Sequence, residues 1–129
     1  MPRYLTEEWL EAAQRAVQTD RTLAAAAESV QLTVQQVVTG GPHGDAAYHV
    51  VIDNGSVRVV SGEASDATVT FTQGWDTAVA ISKGEQSAQG AFMTGLIRVR
   101  GNLPKLVEYA NVFGDMDDAF VELRADTTY

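Results

Sequence analysis

Residues 90–102 read GAFMTGLIRVRGN, and the fold turns on how they are read. A Phe-Met pair precedes Gly95, and Gly101 follows six residues later. Between the glycines Ile97 and Val99 alternate with Arg98 and Arg100, which places the two types on opposite faces of a strand. One face is expected to meet helices and the other water. Ser87 is placed to cap a short helix that runs through Met93 and stops at Gly95. Asn102, with Pro104 in the first turn, predicts another helix directly after the strand.

Working upstream, Ala67, Val69 and Phe71 alternate with threonines in a strand, and a helix is expected from about Gly74 to Lys83, stopped by Gly84. Asn54-Gly55 is a strong type I′ hairpin signal between Tyr48, Val50, Ile52 and a strand over 56–61. Val30, Leu32, Val34 and Val38 share one face of the first strand, followed by a turn-rich loop at Thr39–Gly44. At the start of the chain Thr6 is an N-cap, Glu7 and Glu8 fill the first turn, and Leu5 with Leu10 forms a hydrophobic staple. The stripe of that helix is Trp9, Leu10, Ala13, Ala16 and Val17. A second helical piece covers Asp20 to Ala27.

Downstream, Leu103, Leu106, Val107, Ala110 and Phe113 mark the helix after the strand. Asp115 is expected to cap a last helix bearing Met116, Ala119, Phe120 and Leu123, which is either a lid hinged at Gly114 or an ordinary packed terminal helix. The order of elements predicts an α+β fold, a five-stranded mostly antiparallel sheet covered by helices, in a single domain over 1–129.

At 129 residues and 45% hydrophobic content, the chain is large enough to bury a core without staples. It has no cysteine, which removes disulfides and thiolate chemistry. Seventeen acidic against nine basic residues argue against nucleic-acid binding. No apolar run is long enough to span a membrane, and MPRYLTEEW lacks a signal-peptide core. The ending Thr127-Thr128-Tyr129 is not a peroxisomal address of the Ser-Lys-Leu type. A soluble, cytoplasmic protein is the expectation.

Catalysis finds little footing. His43 lies in a Gly-Pro turn and His49 on a strand, and with Asp45 and Asp53 they match no metal-ligand or acid-base spacing. Ser82 and Ser87 lack a nucleophile-elbow context. Asp115, Asp117 and Asp118 lack the glycine and terminal glutamate of a Ca²⁺ loop. No enzyme, no metal and no cofactor is expected.

The segment DATVTFTQGWDTAVAISKGEQSAQGAFMTGLIRVRGN, residues 66–102, resembles the signature region of the sterol carrier protein type 2 family. The shared features are a strand, a helix, a Gly-containing loop, Ala91-Phe92-x-x-Gly95, an alternating basic strand and Gly101-Asn102 before a helix. Leu96 departs from the pattern, standing where a basic residue is common. The resemblance implies a sheet with helices packed around an apolar tunnel that holds a fatty acyl chain, acyl-CoA, phospholipid or sterol. It further implies a lipid-binding or lipid-transfer module, with transient membrane contact and an undetermined oligomeric state. An interaction or regulatory domain of the same fold without a functional cavity is the alternative.

On that resemblance the tunnel would be lined by Trp75 and Val79, by Phe92, Met93, Ile97 and Val99, and by Leu103, Leu106, Val107, Phe113, Met116 and Phe120. Taken alone, Phe92, Met93, Phe113, Met116 and Phe120 fit a solid core better than a cavity lining, and it is the resemblance that reverses that reading. Arg98, Arg100 and Lys105 are candidates for headgroup contact, set against an ordinary solvated strand face with acidic cross-strand partners.

Overall fold

A computed structural model describes residues 2–129, apart from the side chains of Ala88 and Gln89. Two helices, α1 (Glu7–Thr19) and α2 (Arg21–Ala26), lead into β1 (Gln31–Gly41), β2 (Gly44–Asp53), β3 (Ser56–Ser61) and β4 (Val69–Gly74). Then come α3 (Trp75–Ser82), α4 (Ala88–Met93), β5 (Ile97–Gly101), α5 (Leu103–Glu108), α6 (Ala110–Ala119) and α7 (Val121–Ala125). The strands form one open sheet in the order β3-β2-β1-β4-β5.

Local chemistry accounts for most of the boundaries. The Thr6 hydroxyl accepts from Trp9 N–H at 3.3 Å, Asp20 from Leu23 N–H at 2.8 Å, and Ser87 from Gly90 N–H at 2.9 Å. Each satisfies a helix N–H that has no intrahelical partner. Asn54 and Gly55 adopt φ of 48° and 92°, the paired positive values of a type I′ hairpin. The first hairpin is tighter than expected: β1 runs to Gly41 and β2 starts at Gly44, so the 39–44 segment is mostly strand around Pro42-His43.

Three of the four pairings are antiparallel, and β1 with β4 is parallel. The parallel pair requires a crossover, which the 62–68 segment supplies over the face away from the helices. It bonds there to β2 through Gly62 N–H to Ala47 O at 2.9 Å, and to β1 through Ala64 N–H to Gln35 Oε1 at 2.6 Å. Gln35 is buried on that face as a result.

The opposite face carries the core. Leu32, Val50, Ile52 and Val57 pack against Trp9, Ala13 and Val17 of α1, Leu23 of α2, Val112 and Met116 of α6, Phe120, and Leu123 of α7. Two expectations about the C-terminal region are corrected here. The chain breaks at Tyr109, not after Phe113, and Gly114 lies inside α6. Gly114 is therefore no hinge, because Val112 and Met116, one helical turn apart, keep α6 continuous against the core.

Candidate functional site

The helix-side face is not uniformly covered. On β1 to β3 Leu32, Val34, Val50, Ile52 and Val57 are buried while Gln36, Tyr48 and Val59 are half-buried, and at β4 and β5 the side chains Phe71, Gln73 and Val99 are half-buried as well. Register places Phe71 beside Val99, and Gln73 beside Ile97, which is buried. Phe113 of α6 stands over Phe71 edge to face, with ring centroids 6.4 Å apart. α5, beside this shelf in the chain, has no buried residue. Phe71, Ile97, Val99 and Phe113 form an apolar shelf at this edge of the sheet. Gln73 Nε2 donates to Gln36 Oε1 at 3.1 Å, and Gln73 Oε1 is buried with no partner in the protein.

The residues expected to line a tunnel are scattered by comparison. Ile97, Val99 and Phe113 belong to the shelf, while Leu106 and Val79 are half-buried. Met116 and Phe120 are core residues, 8% exposed, and are held by α1 and α2. Phe92, Met93, Leu103 and Val107 stand at the surface with exposures of 50, 77, 46 and 79%. Trp75 packs on Tyr4 at the far end of the sheet. Phe71, Gln36 and Gln73 were not expected at the site. The alternation of β4 showed Phe71, but only the β4–β5 register reveals its partner.

Arg98 and Arg100 are exposed, opposite Thr72 and Thr70 on β4. The acidic cross-strand partners considered for them are absent among the described residues. Lys105 is different: Glu108 holds its ammonium at 4.0 Å, and it also lies over the Tyr109 ring.

Two hollows lie elsewhere. One, of about 250 Å³, is lined by Tyr4, Trp75 and Tyr129 below and by Arg3, His43 and Asp45 at the rim. The other is an open groove where α1 meets α6 and α7. Burial raises the Tyr4 phenol well above its ordinary value, helped by neighbouring Tyr48 and Tyr129. Burial likewise pushes Tyr48 up to about 12, against the opposing pull of Arg124. Both stay neutral and serve as aromatic packing. His49 Nδ1 bonds to Gly62 O at 2.9 Å, a structural role. Among the described residues no three His, Cys, Asp or Glu side chains gather as a metal site.

The chain is an α+β domain, a five-stranded open sheet with helices on one face. The chain belongs to the SCP-2 sterol transfer family, whose pattern matches residues 10–114. A crystal structure of sterol carrier protein 2 superposes with a TM-score of 0.76 at 21% identity, covering 93% of this chain and 98% of that one. A conserved hypothetical protein of Thermus thermophilus gives 0.74 at 21% identity, covering 95% and 90%. Palmitated SCP2L2 from Aedes aegypti gives 0.56 at 20% identity, covering 77% and 93%. No curated protein matches this chain in sequence. No helix among the described residues is long and apolar enough to cross a membrane.

Proposed function

We propose that this chain, acting as one noncatalytic domain, binds a single long-chain lipid on the shelf formed by Phe71, Ile97 and Val99 beneath Phe113. α5 forms the outer wall, and its exposed Leu103 and Val107 close over the ligand. The observation that carries the reading is membership of the SCP-2 sterol transfer family, and the half-buried apolar side chains Phe71 and Val99 beside Phe113 support the site. The Aedes aegypti relative is palmitated, which supports an acyl chain as the ligand. Each buried methylene contributes about 0.8 kcal/mol, so a 16-carbon chain gains on the order of 12 kcal/mol before ordering costs are subtracted. Apolar surface therefore suffices for affinity without any catalytic group.

Native mass spectrometry of the purified protein, with titration of a fluorescent fatty acid, tests this reading. A one-to-one lipid complex is expected, and Val99→Trp should abolish it while the fold persists, because Val99 is only half-buried. No lipid adduct and no saturable probe binding would instead favour an interaction domain that has lost its ligand site.

A further inference from the structure

β5 is the edge strand of the sheet, and the chain on either side of it exposes apolar side chains to solvent. Phe92, Met93 and Leu96 project from one tight turn, closed by Gly95 N–H to Phe92 O at 3.1 Å and Leu96 N–H to Ala91 O at 2.8 Å. Leu103 and Val107 follow on α5. Of the exposed large hydrophobic side chains among the described residues, only Val121 lies outside 92–107. Scattered exposed apolar residues need no explanation, but a cluster does.

Charge is segregated with them along the chain. Residues 86–107 contain Arg98, Arg100 and Lys105 and no acid, leaving six basic and all seventeen acidic residues to the rest of the chain. Glu108 balances Lys105. Arg98 and Arg100 meet no carboxylate among the described residues and flank β5 with threonines as neighbours.

We propose that this edge docks on an anionic lipid bilayer, with Phe92, Met93 and Leu96 entering the interface and Arg98 and Arg100 meeting lipid phosphates. An apolar turn beside cations is the arrangement that an anionic interface attracts. The acidic remainder is repelled by the same surface, so it orients the molecule with this edge forward. The apolar side chains stand out from a turn and border neither of the two hollows, which suits a fluid interface better than a partner's groove. A second copy is disfavoured by register: antiparallel pairing of two β5 strands about Val99 would set Arg98 of one directly against Arg100 of the other. Docking does not require an occupied shelf, so it goes beyond the lipid-binding reading and stands or falls separately from it.

Flotation of the full chain with phosphatidylcholine vesicles, alone or mixed with phosphatidylglycerol, provides the test. Binding is expected only to the mixed vesicles and should fade at high salt. Arg98→Gln with Arg100→Gln should weaken it roughly thirty-fold, from about 1 kcal/mol per surface cation. Met93→Ser with Leu96→Ser should weaken it too. Thr72→Lys, which adds a cation beside Arg98, should tighten it roughly five-fold on the same basis. Arg58→Gln, on the same sheet face at the opposite edge, should change nothing. Absence of binding at low salt overturns the proposal, as does equal binding by the double glutamine variant. A concentration-dependent dimer that Leu96→Ser abolishes also overturns it, by showing the edge to be a contact between copies. Titrating the fatty-acid probe in parallel keeps failure of docking distinct from failure of lipid binding.

Discussion

Gln73 and Gln36, on neighbouring parallel strands, share one hydrogen bond on the helix-side face and leave Gln73 Oε1 buried without a protein donor. An acceptor withheld from water costs about 1–3 kcal/mol, and a hydroxyl-bearing lipid on the adjacent shelf would recover it. A long-chain alcohol should therefore bind better than the methyl ester of the same chain, which can donate nothing. Gln73→Leu should weaken the alcohol about ten-fold and leave the ester unchanged, a difference of one hydrogen bond. Competition against a fluorescent acyl probe measures both. Equal losses would mean that Gln73 contributes shape alone.

The two glycines that bracket β5 should respond differently to alanine. Gly101 sits at φ 107°, in register with Val69, and an added Cβ would run into Thr68 O and stand 3.0 Å from Val69 Cα. Neither backbone group can move without breaking the β4–β5 ladder. Gly95, at φ 80°, has open space around it. Gly101→Ala should cost on the order of 3 kcal/mol or more, and Gly95→Ala about 1 kcal/mol from backbone conformation alone. Urea unfolding of the two variants checks the ordering, and equal costs would contradict it.

The contrast also shows how far the sequence could be read. Gly95, Gly101, Asn54-Gly55 and the caps at Thr6 and Ser87 act within a few residues, so their chemistry is visible in the chain itself. The alternation of β5 likewise foretold Ile97 inside and Arg98 outside. The parallel pairing of β1 with β4 is nonlocal, however, and with it the placement of Gln36 near Gln73 and of Phe113 over Phe71. Phe92 and Met93 read as interior because they are apolar; only tertiary packing shows that they are exposed while their neighbour Ala91 is turned inward, at 0% exposure. Gly114 misled for the reason that makes glycine informative elsewhere. Its low helix propensity is overridden by the packing of its neighbours.

Alkaline pH should destabilise the fold. Below about pH 10 Tyr48 is protonated in both folded and unfolded chains, so its burial adds no pH dependence. Above that, the unfolded chain releases a proton that the folded one retains until about pH 12. Stability then falls by roughly 2–3 kcal/mol across that window and levels off beyond it. Tyr4, raised further by burial, adds a loss of the same sign. Tyr48→Phe should remove the Tyr48 contribution, so its unfolding midpoint should decline less than the parent's between about pH 9 and 11. Parallel declines would show that Tyr48 ionises freely in the folded state.

The C-terminal segment should behave as core and not as a lid. Met116, Phe120 and Leu123 are buried among α1, α2 and the sheet. The chain end is tied to its start: Trp9 Nε1 donates to Thr127 Oγ1 at 3.1 Å, and Tyr4 N–H and Thr128 N–H bond to Thr128 O and Pro2 O at 2.8 and 2.9 Å. Truncation after Gly114 removes three large core side chains, each worth several kcal/mol, from a domain whose total stability is about 5–15 kcal/mol. The truncated chain should show no cooperative unfolding transition. Gly114→Ala probes the same point gently. The residue is exposed, helical, and has nothing within 4 Å of an added Cβ, so alanine should stabilise α6 by about 1 kcal/mol. Under the hinge reading the same substitution would slow lipid exchange; here the unfolding midpoint should rise while the release rate of a bound acyl probe stays at the parent's value.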